Sequence, residues 1–249
     1  EYSEMKKTTK RRIDLLLVEQ GLAPSRERAQ AILLTGKVTA NGQRVEKAGA
    51  MVDVHAKLIV PEPPPFVGRG GVKLDHALDE FNFDVSGLIA LDVGASTGGF
   101  TDCLLKRGAR RVYALDVGYG QLHHRIRTDH RVVPLERVNA HYPFKLPEKV
   151  HLATIDVSFI SLTKVLPAVI EHLLPDSYLV VLVKPQFEAH REEVGKGGVI
   201  RDPFVHAAIL GRLIAWLVNN GIRIRSLRPS TLLGDAGNRE FFMQLRISS

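Results

Sequence analysis

Cysteine is almost missing from this chain: Cys103 is the single one in 249 residues. No intrachain disulfide can form, which fits a reducing compartment and an expected cytoplasmic location. Tryptophan is equally scarce, at one residue. Long apolar runs are lacking too. The richest candidate helix, HAAILGRLIAWLVNNG, is broken by Arg212, and no stretch reaches the roughly 18 apolar residues a membrane helix needs. No signal-peptide pattern, internal repeat or low-complexity tract is visible.

Hydrophobic residues make up 45% of the chain, enough for a sizeable core, so global disorder is excluded. The formal net charge is +7. Such an excess points to a polyanionic partner. It is concentrated early: residues 1–60 hold 11 Lys and Arg against 7 Asp and Glu, while the remainder holds 23 against 20.

Residues 11–52 are dense with local signals. Ile13, Leu16, Leu17 and Leu22 suggest a short helix face closed by Gly21. Ser25 suits the N-cap of a second helix that turns Ala29, Ile32 and Leu33 inward and stops at Gly36. KVTANGQRV then reads as a hairpin, because Asn41-Gly42 suits a type I′ turn. Around these elements stand Arg11, Arg12, Arg26, Arg28, Lys37 and Arg44, with Lys47. One reading is a solvated face. The density of cations on so short a module favours contact with phosphates. The pattern R-x-D-x-x-L-V-E-x-G-L-x-x-S-R-x-x-A-Q followed by G-x-V-x-x-N-G resembles the small RNA-binding domain named after ribosomal protein S-four. That resemblance implies an RNA-binding domain over residues 6–60, with those six cations as its RNA contacts. Residues 61–72, opening PEPPPFVGRGG, read as a linker stiffened by prolines and loosened by glycines.

From residue 73 to 249 short apolar strands alternate with helices. LIALDVG, RVYALDVG, HLATIDVS and YLVVLVK are the strands, and 98–108, 160–173 and 203–220 the helices. The expected class is α/β: a Rossmann-like parallel sheet wrapped by helices, beside a small α+β N-terminal domain. IRIRSLRPSTLLGDAGNREFFMQLRIS reads as two final strands joined by a long loop. Ligands of such sheets bind beyond the carboxyl ends of the strands. The first strand runs into DVGASTGGF, whose order G-x-x-x-G-G departs from the dinucleotide fingerprint. Asp92 before the turn suits a ligand with a cationic end. Asp116, 22 positions after Gly94, suits a carboxylate on ribose hydroxyls. A nucleoside with a cationic amino-acid tail describes S-adenosylmethionine.

Three methyl acceptors leave different marks. Pyrimidine C5 chemistry needs a cysteine nucleophile, but Cys103 falls inside a candidate helix and reads as a small core residue. Amine methylation by comparable enzymes often shows an Asn/Asp-Pro-Pro-aromatic turn, where this chain has DVSFIS. A hydroxyl acceptor needs a base or a cation near the departing proton. Lys184 and Asp156 end neighbouring candidate strands, either as a structural ion pair or as that proton-handling site. With Lys73 and Glu240 they form the order Lys, Asp, Lys, Glu, which resembles the tetrad of FtsJ-type ribose 2′-O-methyltransferases.

Taken whole, the chain resembles the TlyA family, in which an S-four-type domain precedes an FtsJ-like S-adenosylmethionine-dependent methyltransferase domain. RGGVKLDHAL, DVGASTGGFTD, DVSFISL and VKPQFE carry the resemblance most sharply. It implies 2′-O-methylation of cytidine in ribosomal RNA, with ribosomal RNA or ribosomal subunits as partners. Lys73, Asp156, Lys184 and Glu240 carry over as catalytic. Gly94, Ser96, Gly98, Phe100, Thr101, Asp116 and Asn139 join Asp92 as cofactor-site residues, and no metal is expected. Some members carry a bulky aromatic in the linker where this chain has Gly70-Gly71. The family is also called haemolysins, so a membrane-active protein is one alternative. An RNA-binding assembly factor without methyl transfer is another.

Overall fold

The computed structural model describes residues 9–62, 64–195 and 197–247. The expected domain edges at residues 6 and 249 lie outside these. Two compact units divide the chain, Glu1–Pro63 and Pro64–Ser249.

The first unit runs β1 (Lys10–Arg12), α1 (Ile13–Glu19), α2 (Arg26–Leu34), β2 (Thr39–Ala40), β3 (Gln43–Arg44), β4 (Met51–Asp53) and β5 (Leu58–Ile59). β1 pairs antiparallel with β4, and β2 lies between β3 and β5. Ser25 caps α2, its Oγ accepting from the Arg28 N–H at 3.2 Å. Asn41 and Gly42 both take positive φ, 51° and 80°, as a type I′ turn requires. Ile13, Leu17, Ala29 and Leu33 form a small core with Val38. Leu22 does not join that face. The chain leaves α1 before it, through Gly21 at φ 69°, and Leu22 is exposed.

The second unit begins with α3 (Arg69–Glu80). Residues 69–72, expected to close the linker, are its first turn. The glycines explain why. A Cβ on Gly71 would collide with the Phe66 ring and the Gly99 carbonyl, so Gly71 lets α3 lie against the next helix. Phe66 is itself an aromatic within the expected linker and is buried in this unit's core.

There follow β6 (Ile89–Val93), α4 (Gly99–Lys106), β7 (Arg111–Asp116), α5 (His124–Arg127), β8 (Val132–Glu136), β9 (Val150–Ile155), α6 (Leu162–Ile170), β10 (Leu173–Val183), α7 (Pro185–Glu188), α8 (Pro203–Asn219), β11 (Ile222–Pro229) and β12 (Phe241–Ile247). Seven strands form one sheet in the order β11-β12-β10-β9-β6-β7-β8. From β10 to β8 all neighbours are parallel; β11 and β12 are antiparallel. Alternating strand residues serve opposite faces. Ile89, Leu91 and Val93 join Leu166 of α6 and Leu213 of α8 in one core, while Ala90 joins Leu74 of α3 and Leu104 of α4 in the other.

β6 has β7 on one side and β9 on the other, so the strand order reverses there. In an open α/β sheet that reversal opens a crevice beyond the strand ends.

Candidate active site

Each wall of that crevice comes from a strand end. After β6 the chain turns at Gly94, φ 84°, where a Cβ would collide with the Asp156 carbonyl oxygen. Only glycine allows β6 and β9 to close so tightly. Ser96 and Gly98 also take positive φ and bring the chain into α4. At the end of β7 the Asp116 carboxylate holds two loops, its Oδ2 accepting from the Ser96 N–H at 2.8 Å and its Oδ1 from the Gly118 N–H at 2.7 Å. Between these walls lies a cavity of 550 Å³, lined by Gly94, Ser96, Asp116, Asn139, Asp156 and Phe159 among others. A smaller cavity of 150 Å³ shares Gly94, Ser96 and Asp156 with it and reaches Gly70 and Phe100.

The expected cofactor residues divide by position. Gly94, Ser96, Asp116 and Asn139 line the main cavity, and Phe100 lines the smaller one. Gly98 lies against Ile126 and Leu122 and shapes the turn. Asp92 and Thr101 line neither cavity. Both are fully buried beneath the turn, where Asp92 accepts from Thr101 Oγ1 at 2.6 Å and from Thr154 Oγ1 at 3.1 Å. Burial pushes the Asp92 pKa up to about 7, partly offset by the two hydroxyl donors and reinforced by the charge of Asp156. Asp92 is thus a support of the turn rather than an exposed carboxylate.

The four charged residues form two ion pairs. Lys73, in the second turn of α3, reaches Glu240 just before β12, Nζ to Oε2 2.6 Å. Their side chains are only 10% and 3% exposed. Lys184, just after β10, reaches Asp156, just after β9, Nζ to Oδ1 2.6 Å, and donates to Ser158 Oγ at 3.0 Å. This pair is more open, at 12% and 23%. Val183 pairs with Phe241 in antiparallel register, so Lys184 and Glu240 leave adjacent strands at the same end of the sheet.

The rim holds residues the sequence reasoning missed. Phe159, from DVSFIS, is 91% exposed with φ 63°, and its ring meets Phe187 at 4.9 Å. Glu188, from VKPQFE, accepts from Ser161 Oγ at 2.6 Å and from the Leu162 N–H at 2.7 Å. The two motifs therefore build one rim. An aromatic directly after Ser158 in a strand-end loop was the available signal. Cys103 is fully buried, and burial raises its pKa, so it offers no thiolate.

In the first unit the expected RNA contacts are not alike. Arg12 and Arg26 grip the fully buried Asp14, Arg12 through Nε at 3.0 Å and an amino group at 2.9 Å, Arg26 through Nε at 3.0 Å. Gln30 adds a bond at 3.2 Å. The Arg12 guanidinium holds the Asp14 carboxyl far below the usual carboxylate range. Arg11 pairs with Glu19 at 2.7 Å and Arg44 with Glu46 at 3.9 Å. Among the described residues Arg28 and Lys37 have no carboxylate partner.

A family model for FtsJ-like methyltransferases matches residues 66–247, and an S4 domain model matches residues 11–58. The chain is 47% identical over 243 residues to YqxC of Bacillus subtilis, provisionally named an rRNA methyltransferase, covering 95% of this chain and 85% of that one. It is 44% identical over 239 residues to the 16S/23S rRNA (cytidine-2′-O)-methyltransferase TlyA of Mycobacterium tuberculosis, covering 94% and 89%. A solved structure from Streptococcus thermophilus with a provisional hemolysin name superposes with a TM-score of 0.74 at 40% identity, covering 97% of this chain and 90% of that one.

Proposed function

The chain belongs to the FtsJ-like methyltransferase family, and from that premise we propose that it transfers a methyl group from S-adenosylmethionine to a ribose 2′-hydroxyl of cytidine in ribosomal RNA. The observation that carries the proposal is the Lys184–Asp156 pair, whose carboxylate residue Asp156 lines the crevice where the strand order reverses. The relatives' names support the acceptor, and the S4 domain supports an RNA substrate.

The cavity suits the cofactor. Its volume lies in the range of ligand pockets. A carboxylate stands at the end of β7 where ribose hydroxyls would be held, and backbone without side chains stands at Gly94. Asp116 would hold the ribose, with Asn139 beside it. Asp92 acts through Thr101 and Thr154 by fixing the turn. When bound, S-adenosylmethionine supplies an electrophilic methyl group. Lys184 Nζ takes the proton of the ribose hydroxyl or steadies the developing alkoxide. Asp156 and Ser158 fix the direction of that ammonium or amine. The buried Lys73–Glu240 pair positions α3 and the start of β12 behind it. Placing the hydroxyl against a fixed lysine lowers the entropic cost of reaction.

Among the described residues no helix is long and apolar enough to cross a membrane. The test incubates the chain with S-adenosylmethionine and ribosomal subunits from cells lacking it, then maps ribose methylation. A new 2′-O-methylcytidine is the expected result. Vesicle lysis without methylation would instead support the haemolysin reading, and cofactor binding without methylation the assembly-factor reading.

A further inference from the structure

We propose a second RNA-binding cleft on the methyltransferase unit, formed by Arg201 and Arg239 with the exposed Phe204 at its edge, which takes a phosphate and a base of a nucleotide neighbouring the acceptor. It rests on the functional reading above. A cavity of 420 Å³ lies beside the first turns of α8, lined by Arg201, His206, Leu210, Arg239 and Phe241. Among the described residues neither arginine has a carboxylate or hydrogen-bond partner. Two unpaired guanidiniums on one cleft repel each other and call for an anion. The fork of a guanidinium fits phosphate oxygens.

The cleft is built rather than incidental. Asn238, nearly fully buried, accepts from the Ile200 N–H through Oδ1 at 3.1 Å and donates from Nδ2 to the Gly198 carbonyl at 3.0 Å. That amide staples the segment before Arg201 to the segment bearing Arg239, and so sets the two cations together. His206 is buried in the same wall, edge-on to Phe241 at 5.8 Å, with its Nε2 unpartnered. The nearby carboxylate of Asp202 is engaged in capping α8, its Oδ1 accepting from the Phe204 N–H at 2.8 Å. Phe204 lies outside the cavity's lining but directly follows its lining residue Pro203 in the first turn, and it is 83% exposed. Unpaired cations beside a bare aromatic ring are the combination that binds single-stranded nucleic acid, phosphate on the one and base on the other. Arg239 directly precedes Glu240, so the cleft lies at the same end of the sheet as Lys184 and Glu240. An ordered nucleotide there would fix the acceptor ribose from one side.

The test measures binding of a fluorescein-labelled oligocytidine ribonucleotide to the full chain by anisotropy over about 50–300 mM KCl. Arg201→Ala and Arg239→Ala should each raise Kd about fivefold at ~0.1 M KCl. Each should also flatten the log–log salt slope by about 0.7, the share of one single-strand phosphate contact. Arg239→Lys should keep most of the slope. Phe204→Ala should raise Kd about fivefold or more while leaving the slope unchanged. Thermal midpoint and S-adenosylmethionine affinity should be unaltered in all four. Unchanged Kd and slope in both alanine variants of the arginines would overturn the cleft, and an acidic protein partner would then fit it better. Should the wild-type chain transfer no methyl to ribosomal RNA, the functional reading fails, and the binding measurement still decides the cleft on its own.

Discussion

The two lysine–carboxylate pairs of the crevice have the same length and different surroundings. Lys73 and Glu240 meet at 2.6 Å with almost no exposure, while Lys184 meets at 2.6 Å an Asp156 that lines a cavity. A buried pair cannot lose a member without stranding a charge, so its first duty is structural. A pair beside a cavity can exchange its partner for a substrate. Sequence order alone makes the four residues look equivalent. Burial separates them.

Breaking the buried pair should have the largest effect. Glu240→Ala leaves the Lys73 ammonium without its counter-ion and should cost about 3–5 kcal/mol of stability in chemical denaturation, with methyl transfer lost as well. Stability within about 1 kcal/mol of wild type would show that the pair is not structural.

The same distinction sorts the arginines of the first unit. Arg26 serves the buried Asp14, whereas Arg28 has no carboxylate partner among the described residues. Arg26→Glu sets a second carboxylate against a buried one and should lower the thermal midpoint clearly. Arg28→Glu should leave the midpoint in place and weaken RNA binding, with a shallower salt dependence. Equal midpoints for the two variants would remove the distinction.

Asp92 sharpens the comparison further, being a buried carboxylate served by hydroxyls with no cation partner among the described residues. Its pKa is raised to about 7 in the folded chain, against 3.8 when unfolded. Between about pH 4 and 7 the unfolded chain has released this proton and the folded chain still holds it. The contribution of Asp92 to stability therefore falls as pH rises through that window. Asp92→Asn can keep both threonine bonds and should flatten this fall, a smaller effect readable from denaturation midpoints at pH 5 and pH 7.

The sequence conveyed local facts well. Ser25, Asn41-Gly42 and the strand segments that carry or adjoin Asp92, Asp116, Asp156 and Lys184 are short-range signals, set by caps, turn dihedrals and apolar runs. β8 and α5 went unseen, because the mixed polar run from residue 117 to 136 has no clear period. Asp92 was read as facing the ligand, since the sequence near a strand end shows which residues lie there but not which way they point. Arg26 looked like a free cation because Asp14 is brought to it by the packing of α1 on α2, which also buries the carboxylate that Arg12 grips from two residues away. Leu22 was set on a helix face that Gly21 had already ended. What the sequence did not hold was burial, and burial decides which charges support the fold and which remain available.

The central claim is that the open pair carries the chemistry, and Lys184 tests it most directly. Lys184→Ala and Lys184→Arg would be compared with wild type for thermal midpoint, S-adenosylmethionine affinity and methyl transfer to ribosomal subunits. The account predicts that the alanine variant folds and binds cofactor normally while transfer falls by about 10²-fold or more. The arginine variant keeps the cation but supplies no neutral base, so near-normal transfer in it would leave only electrostatic steering to the lysine. Normal transfer by Lys184→Ala, or a loss explained by a lowered midpoint, would contradict the account.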